Sequence, residues 1–336
     1  MERIAQTSRA RVYRGTEANL GRLARALRRG ELVAVPTETV YGLAADALNP
    51  RACRAIFRAK GRPAADPLIV HIHAWGQLEE LAEPNEAARI LAAAFWPGPL
   101  TLVLPKRPEV PEVVTSGLPS VAIRMPAHRV FRSLLKRCGR PLAAPSANPF
   151  GYVSPTCVEH VVAGLGRRID HILDGGPCRI GLESTIVDLR DPKHPRLLRP
   201  GAITREQIAA ALGRPVAVGG GKRSGHLPQV APGLLKRHYS PRTPVVLHDH
   251  ASDSAWRKAR PDEAWLLTVK PVGRALPENV FWLDTRGRLP DAARRLFAQL
   301  RALDGRGFSK IHAELVAGGG LADAINDRLR RAAARG

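Results

Sequence analysis

Polar side chains follow short apolar runs at several points of the chain, and the ends of strands are where α/β proteins bind their ligands. The segment TET at 37–39 comes directly after such a run. Lys60 and Arg62 lie two residues apart in KGRPAADP. A lysine and an arginine at this spacing can converge on one anion and bind its phosphate oxygens. We expect this pair in a loop, where it contributes no area to the core.

Two charged or ionisable residues lie inside apolar runs. His71 lies in PLIVHI, where a histidine is either a satisfied core residue or a functional one. Arg124 lies in SVAIR, where an unpaired charge would be costly. It therefore needs an anionic partner, which is either a buried carboxylate of the protein or the carboxylate of a ligand.

Three further segments place a hydroxyl, an amide or a guanidinium beside a buried strand. AAPSAN ends a predicted strand, with Ser146 and Asn148 on one side of the chain because they are two residues apart. ESTIVD at 183–188 and LLRPG at 197–201 repeat this pattern. Each segment taken alone is as consistent with a structural role as with a functional one.

The apolar pattern predicts the elements that would position these side chains. It indicates a helix over 16–29, a strand over 32–35 and a helix from Asn49 to about Lys60. More strands are predicted at 68–72, 100–104, 121–125, 172–174 and 185–189, and more helices at 84–95, 127–138 and 156–166. This alternation predicts an α/β fold whose sheet is not all parallel.

A change of composition divides the chain. The stretch 216–243 is rich in glycine, proline and basic residues and has no periodicity, which predicts a linker. After it, four apolar runs alternate with helical segments, which indicates a second, small α/β domain. The predicted organisation is a catalytic domain over 1–215, a linker over 216–243 and a C-terminal domain over 244–336.

The composition limits the class of protein. The 336 residues include 52 basic and 30 acidic ones, a net charge of +22 that would attract nucleotides or RNA. No RNA-recognition motif is present, so direct tRNA binding is expected to be weak at most. No apolar run is long enough to cross a membrane, and no secretory signal is recognisable, so a cytoplasmic protein is expected. The four widely spaced cysteines are expected to be reduced and mostly buried.

Taken together, in this order and at these spacings, the segments resemble the threonylcarbamoyl-AMP synthase family of YrdC-like enzymes in its longer, two-domain form. The resemblance is dense over 32–201, includes HYSP at 238–241 and is loose after 244. PTETVYGL, PLIVHI, WPGPLTLVL, ESTIVD and LLRPG are all similar to the family as they stand. The catalytic KxR…SxN set of that family corresponds here to Lys60, Arg62, Ser146 and Asn148.

The resemblance implies an open, twisted, mixed-sheet catalytic domain with a basic concave face, followed by a smaller Rossmann-like α/β domain. It implies that L-threonine binds at Thr37, His71, Arg124, Ala144 and Ser184. It implies that ATP binds at Lys60, Arg62, Ser120, Ser146, Asn148, Ser154, Arg199 and Tyr239. Ser240 stands where the family commonly has alanine, a departure that we expect to be harmless.

The activity implied by the resemblance joins L-threonine, bicarbonate and ATP into threonylcarbamoyl-AMP and pyrophosphate, for the N6-threonylcarbamoyladenosine modification of tRNA. Mg²⁺ would bridge the ATP phosphates without an assigned protein ligand. The product would pass to a tRNA threonylcarbamoyl transferase. The linker would act as a lid, with Lys236, Arg237, His238 and Tyr239 over the nucleotide.

Two other functions remain open from the sequence. A non-enzymatic RNA-binding or ribosome-maturation protein would use the basic concave face, but it would leave the polar groups of TET and ESTIVD without a task. A carbamoyltransferase of the hydrogenase-maturation type shares the core, but those relatives carry paired CxxC segments that this chain lacks.

Overall fold

The computed structural model describes residues 10–219, 238–249, 253–258, 260–272 and 275–334. These residues form a mixed sheet of eleven strands and a parallel sheet of four, each with helices packed against it. The expected mixed α/β fold with a smaller second α/β domain is confirmed.

The strands of the first sheet are short and strongly mixed in direction. In chain order they are β1 (Arg11–Arg14), β2 (Val33–Val35), β3 (Gly42–Asp46), β4 (Ile69–His71), β5 (Leu100–Pro105), β6 (Ser120–Arg124), β7 (Leu142–Ala143), β8 (His171–Asp174), β9 (Thr185–Asp188), β10 (Arg196–Arg199) and β11 (Ala217–Val218). Their spatial order is β1-β8-β2-β3-β7-β4-β6-β5-β9-β10-β11. Because β4 and β6 are parallel, His71 lies directly opposite Arg124.

The helices of the first domain have the ends that their sequences indicate. They are α1 (Glu17–Arg28), α2 (Pro50–Lys60), α3 (Trp75–Leu81), α4 (Glu86–Phe95), α5 (Glu112–Thr115), α6 (Arg129–Cys138), α7 (Val158–Leu165) and α8 (Arg205–Leu212). Asn49 caps α2 through its side chain, Pro50 follows at the first helical position, and Gly61 ends the helix with a φ of 64°. Lys60 is therefore the last residue of a helix, which corrects the expectation that it lies in a loop.

The second sheet contains β12 (Val245–His248), β13 (Glu263–Val269), β14 (Val280–Asp284) and β15 (Lys310–Glu314), in the spatial order β12-β15-β13-β14. Its helices are α9 (Asp253–Arg257), α10 (Leu289–Asp304) and α11 (Leu321–Ala333). All pairings in this sheet are parallel, as in a Rossmann-like domain.

The two domains share part of a core. Val40, Val153 and Leu182 come from loops of the first domain, yet they pack in one buried cluster with α10 and α11, including Leu296 and Ile325. A separate cluster fills the space between the first sheet and helices such as α2 and α4. The contact between the domains therefore includes a buried apolar cluster and is more than a loose surface contact.

The linker predicted over 216–243 is partly structured. Residues 217–218 form β11, which pairs in parallel with β10 and extends the first sheet. Residues 220–237, which include Lys236 and Arg237, lie outside the described residues. Within the described part of the chain, no helix is long and apolar enough to cross a membrane. The four cysteines are free thiols, and three of them are buried, as expected.

Candidate active site

A small cavity lies between β3, β4, β6 and the loops before β9 and after β7. All the residues that the resemblance assigns to threonine line it: Thr37, His71, Arg124, Ala144 and Ser184. Four residues of the nucleotide set line it as well: Arg62, Ser146, Arg199 and Tyr239. Segments far apart in the sequence thus converge on one enclosed space.

Arg124 is held at the wall of the cavity by groups of the protein. Its Nη2 lies 2.6 Å from Glu38 Oε1, its Nη1 donates to Thr39 Oγ1 at 2.9 Å, and its Nε donates to the Gly98 carbonyl at 3.1 Å. Of the two partners considered for this arginine, the structure supplies the buried carboxylate. A guanidinium has five N–H groups, so two remain for a ligand.

Glu38 is charged in spite of its burial. Burial alone would raise the pKa of its carboxyl, but the adjacent Arg124 guanidinium outweighs this and lowers the pKa below its usual value. The second carboxylate oxygen, Oε2, is buried and has no hydrogen-bond partner in the residues that the structure describes. The pair therefore brings one positive and one negative charge to the same end of the cavity.

The hydroxyl of Thr37 organises the turn between β2 and β3. It accepts hydrogen bonds from the backbone N–H groups of Thr39 and Val40, both at 3.1 Å, and donates to the Val40 carbonyl at 2.6 Å. It also lies 2.8 Å from the Thr39 hydroxyl. Such side-chain-to-backbone bonds fix a tight turn, so both threonines have defined positions.

His71 is a buried, neutral imidazole. Burial, together with the neighbouring charge of Arg124, lowers the pKa of its ring to about 3. Its Nδ1 has no hydrogen-bond partner among the described residues, and its ring lies 5.6 Å from that of Phe131 on α6. A neutral ring with an unpartnered nitrogen can exchange a hydrogen bond with a ligand, but it holds no second proton near pH 7.

Ser184 and Arg199 form a second hydrogen-bonded group at the cavity. The Ser184 hydroxyl lies 2.7 Å from the Thr101 hydroxyl and accepts from Arg199 Nη2 at 3.1 Å. Arg199 Nε donates to the Ser184 carbonyl, also at 3.1 Å. Burial lowers the pKa of Arg199 from its usual value, although an arginine remains charged at any ordinary pH.

Lys60 and Arg62 do not match the prediction that they lie in a loop without core area, because both are buried. Lys60 Nζ donates to the carbonyls of Ser146 and Asn148 at 2.5 and 2.6 Å and so lies behind the cavity wall. Arg62 faces the cavity, bonded to Asp66 Oδ2 at 3.0 Å and to a backbone carbonyl. Burial lowers the pKa of both cations.

Three other residues of the nucleotide set do not line the cavity. Ser120 begins β6, about 13 Å along the strand from Arg124. The Asn148 side chain donates to the carbonyls of Pro149 and Tyr152, both at 2.8 Å. Ser154 is fully buried and donates to Glu183 Oε1 at 2.5 Å. In this conformation these residues contact protein rather than open space.

The end of the linker returns to the cavity. Tyr239 is buried with a φ of 61°, an uncommon conformation for a residue other than glycine. Burial raises the pKa of its hydroxyl, which has no hydrogen-bond partner within the described part of the chain. His238 packs edge-on against this ring at 4.1 Å, and Ser240 N donates to the Gly151 carbonyl at 2.8 Å. The Tyr239 side chain lines the cavity and also packs against Phe297 of α10, with the ring centres 5.5 Å apart.

Sequence reasoning gave no role to some residues of the site. Thr39 and Glu183 also line the cavity, and Glu38 supplies the partner of Arg124. His238, which was expected over the nucleotide as part of the linker, lines the cavity too. Glu38 could have been expected from the sequence, because an arginine inside an apolar strand needs a buried carboxylate as its partner. Glu183 begins the ESTIVD segment, but nothing local indicates its partners, which come from Ser154 and from α11.

The cavity is small for a substrate. Its volume is about 50 Å³, whereas an apolar cavity that binds one benzene measures about 150 Å³. A nucleotide can enter only if surrounding segments move. Among the described residues, no group of three or more histidine, cysteine or acidic side chains could hold a metal ion.

Comparison with known proteins gives consistent matches to both domains. A family model for Sua5, YciO and YrdC proteins, described as "Telomere recombination", matches residues 25–201, and a model described as "Threonylcarbamoyl-AMP synthase, C-terminal domain" matches residues 203–334. The chain is 45% identical to a threonylcarbamoyl-AMP synthase of Pyrococcus abyssi, over 91% of each chain. It is 41% identical to that of Bacillus subtilis, over 94% of this chain and 93% of the other. It superposes on P. abyssi Sua5 complexed with L-threonine with a TM-score of 0.87 and 42% identity, over 96% of each chain.

Proposed function

The chain belongs to the threonylcarbamoyl-AMP synthase family in its two-domain form, and we propose that the cavity beside Arg124 and His71 is where it binds L-threonine and activates it with ATP. The protein is an enzyme of the nucleotidyltransferase type that acts in tRNA modification. One observation carries the assignment of the cavity. Five residues from five separate segments, all assigned to threonine by the resemblance, converge there with Arg62 and Arg199.

The amino-acid end of the substrate fits the side of the cavity near Arg124. The two N–H groups that this guanidinium has left can bind the threonine carboxylate, a charge-assisted contact. The neutral His71 ring can accept a hydrogen bond from the amine once the amine has lost its proton. Val40, Ile69 and Ala144 supply apolar wall for the threonine methyl group.

The reaction requires two bonds to form. The threonine amine attacks the carbon of CO₂ or bicarbonate and gives a carbamate, with water leaving when bicarbonate is the source. A carbamate oxygen then attacks the α-phosphorus of ATP, and the bond between the α-phosphorus and the bridging oxygen breaks to release pyrophosphate. No covalent bond to the protein forms, so catalysis consists of positioning and of stabilising phosphate charge.

The phosphate end fits the side of the cavity that carries Arg62 and Arg199. Both guanidinium groups are held in place by hydrogen bonds, so little reorganisation is needed when negative charge develops. Lys60 positions the backbone of Ser146 rather than facing the cavity. When nucleotide enters, this ammonium group is close enough to exchange one of its carbonyl partners for a phosphate oxygen.

Mg²⁺ is expected to arrive with ATP rather than to occupy a protein site. The carboxylates at the cavity, Glu38 and Glu183, are both paired with buried arginines. The metal ion would neutralise phosphate charge, with its ligands supplied by phosphate oxygens and water. Bicarbonate as co-substrate and a tRNA threonylcarbamoyl transferase as the acceptor of the product complete the proposal.

Mass spectrometry of the products formed from ATP, bicarbonate and L-threonine tests this function. We expect threonylcarbamoyl-AMP and stoichiometric pyrophosphate, with both lost when threonine or bicarbonate is omitted. The matched variants are Arg124→Lys, which removes the guanidinium fork, and Arg129→Lys, which changes an exposed arginine on α6. Absence of any threonine-dependent pyrophosphate would instead favour an RNA-binding protein, which filter binding to tRNA would then detect.

A further inference from the structure

The side chain of Arg328 crosses from the second domain into the wall of the catalytic cavity. This residue lies on α11 and is completely buried. Its Nε donates to Glu183 Oε2 at 2.9 Å and its Nη2 to the Glu183 carbonyl at 3.4 Å. Its Nη1 donates to the Pro200 carbonyl at 2.8 Å. One guanidinium therefore holds two segments of the first domain together.

Each of these contacts is adjacent to a residue of the cavity. Glu183 precedes Ser184, and Pro200 follows Arg199. The guanidinium carbon also lies 5.5 Å from the centre of the Tyr239 ring, within the range of a cation–π contact. Because Ser184 and Arg199 are hydrogen-bonded to each other, a movement of either segment would change the position of both.

The same helix holds the end of the linker. The Arg331 carbonyl accepts hydrogen bonds from the His238 N–H at 3.4 Å and from the Ser240 hydroxyl at 3.2 Å. The last turns of α11 thus contact the residues on both sides of Tyr239. The helix connects the ESTIVD segment, the LLRPG segment and the linker without touching the space where substrate would lie.

Burial of this arginine needs an explanation other than stability. A deeply buried ion pair contributes little net stability compared with well-packed apolar residues. Burial alone would lower the pKa of Arg328, but Glu183, Tyr239 and Asp327 outweigh it and raise the pKa. The charge is therefore kept, and the fork geometry lets it bind a carboxylate and two carbonyls at once.

We propose that Arg328 is a positioning residue of the catalytic cavity, through which the second domain fixes Ser184, Arg199 and Tyr239 for the reaction. The proposal rests on the function proposed above. It gives the second domain a direct part in assembling the site, because the Arg328 guanidinium lies between Glu183, Pro200 and Tyr239.

Arg328→Met tests the proposal, with Arg330→Met as the matched control on the same helix, where the side chain is exposed. We expect kcat/KM of Arg328→Met to fall about 100-fold, as misplacement of binding groups does elsewhere, with changes in the KM for both threonine and ATP. Arg330→Met should behave like the unchanged protein. Arg328→Lys keeps the charge but not the fork, so it should recover only part of the activity.

A second pair of measurements separates positioning from folding. Arg328→Met leaves Glu183 buried and unpaired, so the protein can lose stability as a whole. The double variant Arg328→Met/Glu183→Gln removes both charges and should recover the melting temperature. If positioning is the role, kcat/KM stays low in this variant, because the contacts to Pro200 and Tyr239 are still missing.

Hydrogen exchange of the backbone amides gives a reading that does not depend on activity. Faster exchange near residues 184, 199 and 239 in Arg328→Met, but not in Arg330→Met, supports the proposal. Unchanged exchange there, or full activity of the double variant, overturns it. If Arg328→Met and the double variant both unfold, the same comparison of activity and exchange is made with Arg328→Lys. An inactive unchanged protein would refute the proposed function, and the exchange data alone would then decide on positioning.

Discussion

Glu38 Oε1 lies 2.6 Å from Arg124 Nη2, and the two residues are only 2% and 3% exposed. The pair lies at the end of the cavity that fits the amino acid, where a ligand carboxylate would join a positive charge that is already compensated. The net charge of the pair is zero. A ligand carboxylate would therefore be held at Arg124 by directed hydrogen bonds more than by an excess of positive charge. The pair also makes the stability of the fold depend on pH.

Glu38→Gln should destabilise the protein by about 3–5 kcal/mol at pH 7, because it leaves a buried guanidinium without its counter-charge. Since the pKa of this carboxyl is lowered from its ordinary value of 4.5, the stabilisation is fully present above pH 4.5 and is lost as the pH falls below it. Urea unfolding from pH 7 to pH 3 should therefore show a smaller acid-dependent loss in Glu38→Gln than in the unchanged protein. Glu80→Gln, which changes an exposed carboxylate on α3, is the control, and equal acid slopes in both variants would contradict the prediction.

Arg62→Met should lower kcat/KM by about 10²–10³-fold, the usual loss when a preorganised charge partner of the transition state is removed. Lys60→Met should affect the fold as well, because two buried carbonyls lose their donor at about 1–3 kcal/mol each. Arg58→Met, exposed on the same helix, is the control. Pyrophosphate release and urea unfolding give the two readings, and a Lys60→Met protein of unchanged stability would show that its carbonyl contacts are unimportant.

Tyr239→Phe should raise the KM for ATP while leaving the melting temperature nearly unchanged. Among the residues that the structure describes, none is a hydrogen-bond partner of this hydroxyl, so its removal breaks no bond seen in the fold. Tyr152→Phe is the contrasting variant, since that hydroxyl donates to Asp304 Oδ2 at 2.7 Å and its loss should lower the melting temperature. If ATP binding is normal in Tyr239→Phe, the hydroxyl does not contact the nucleotide.

Amino acids related to threonine should be rejected to different degrees. Serine lacks one methyl group, which is worth about 1–3 kcal/mol, so it should be a poor substrate but still a measurable one. Valine lacks the hydroxyl, and a site that hydrogen-bonds a hydroxyl rejects such an analogue by about 10⁴–10⁵-fold. Product formation with each amino acid measures this order. A cavity that accepts valine as well as serine would leave the threonine hydroxyl without a protein partner.

Local features of the fold followed from the sequence. Residues close in sequence set the Asn49-Pro50 start of α2 and the capping box of Thr204 and Gln207 at the start of α8. They also set the two strands that carry His71 and Arg124. The inward position of Lys60 was also within reach, because it lies four residues after Ile56 on the buried side of the helix. The glycine and proline that follow Lys60 suggested a loop instead. The helical periodicity of the buried residues would have predicted its position better.

Long-range contacts were not predictable in the same way. Glu183 and Arg328 are separated by 145 residues, and neither segment carries a local pattern that points to the other. An arginine between Ile325 and Leu329, on the apolar side of α11, signals only that a partner exists. Which carboxylate it binds depends on how two domains pack, which single-sequence periodicity does not encode.

The sharing of one apolar cluster by Val40, Val153 and Leu182 with α10 and α11 has a consequence for engineering. A chimera that joins the first domain of this chain to the second domain of a relative would inherit mismatched surfaces, unless these loop residues and their helical neighbours are transferred together. A chimera should therefore exchange the loops around residues 40, 153 and 182 together with α10 and α11. A junction at the conventional border between the domains would separate these contacts.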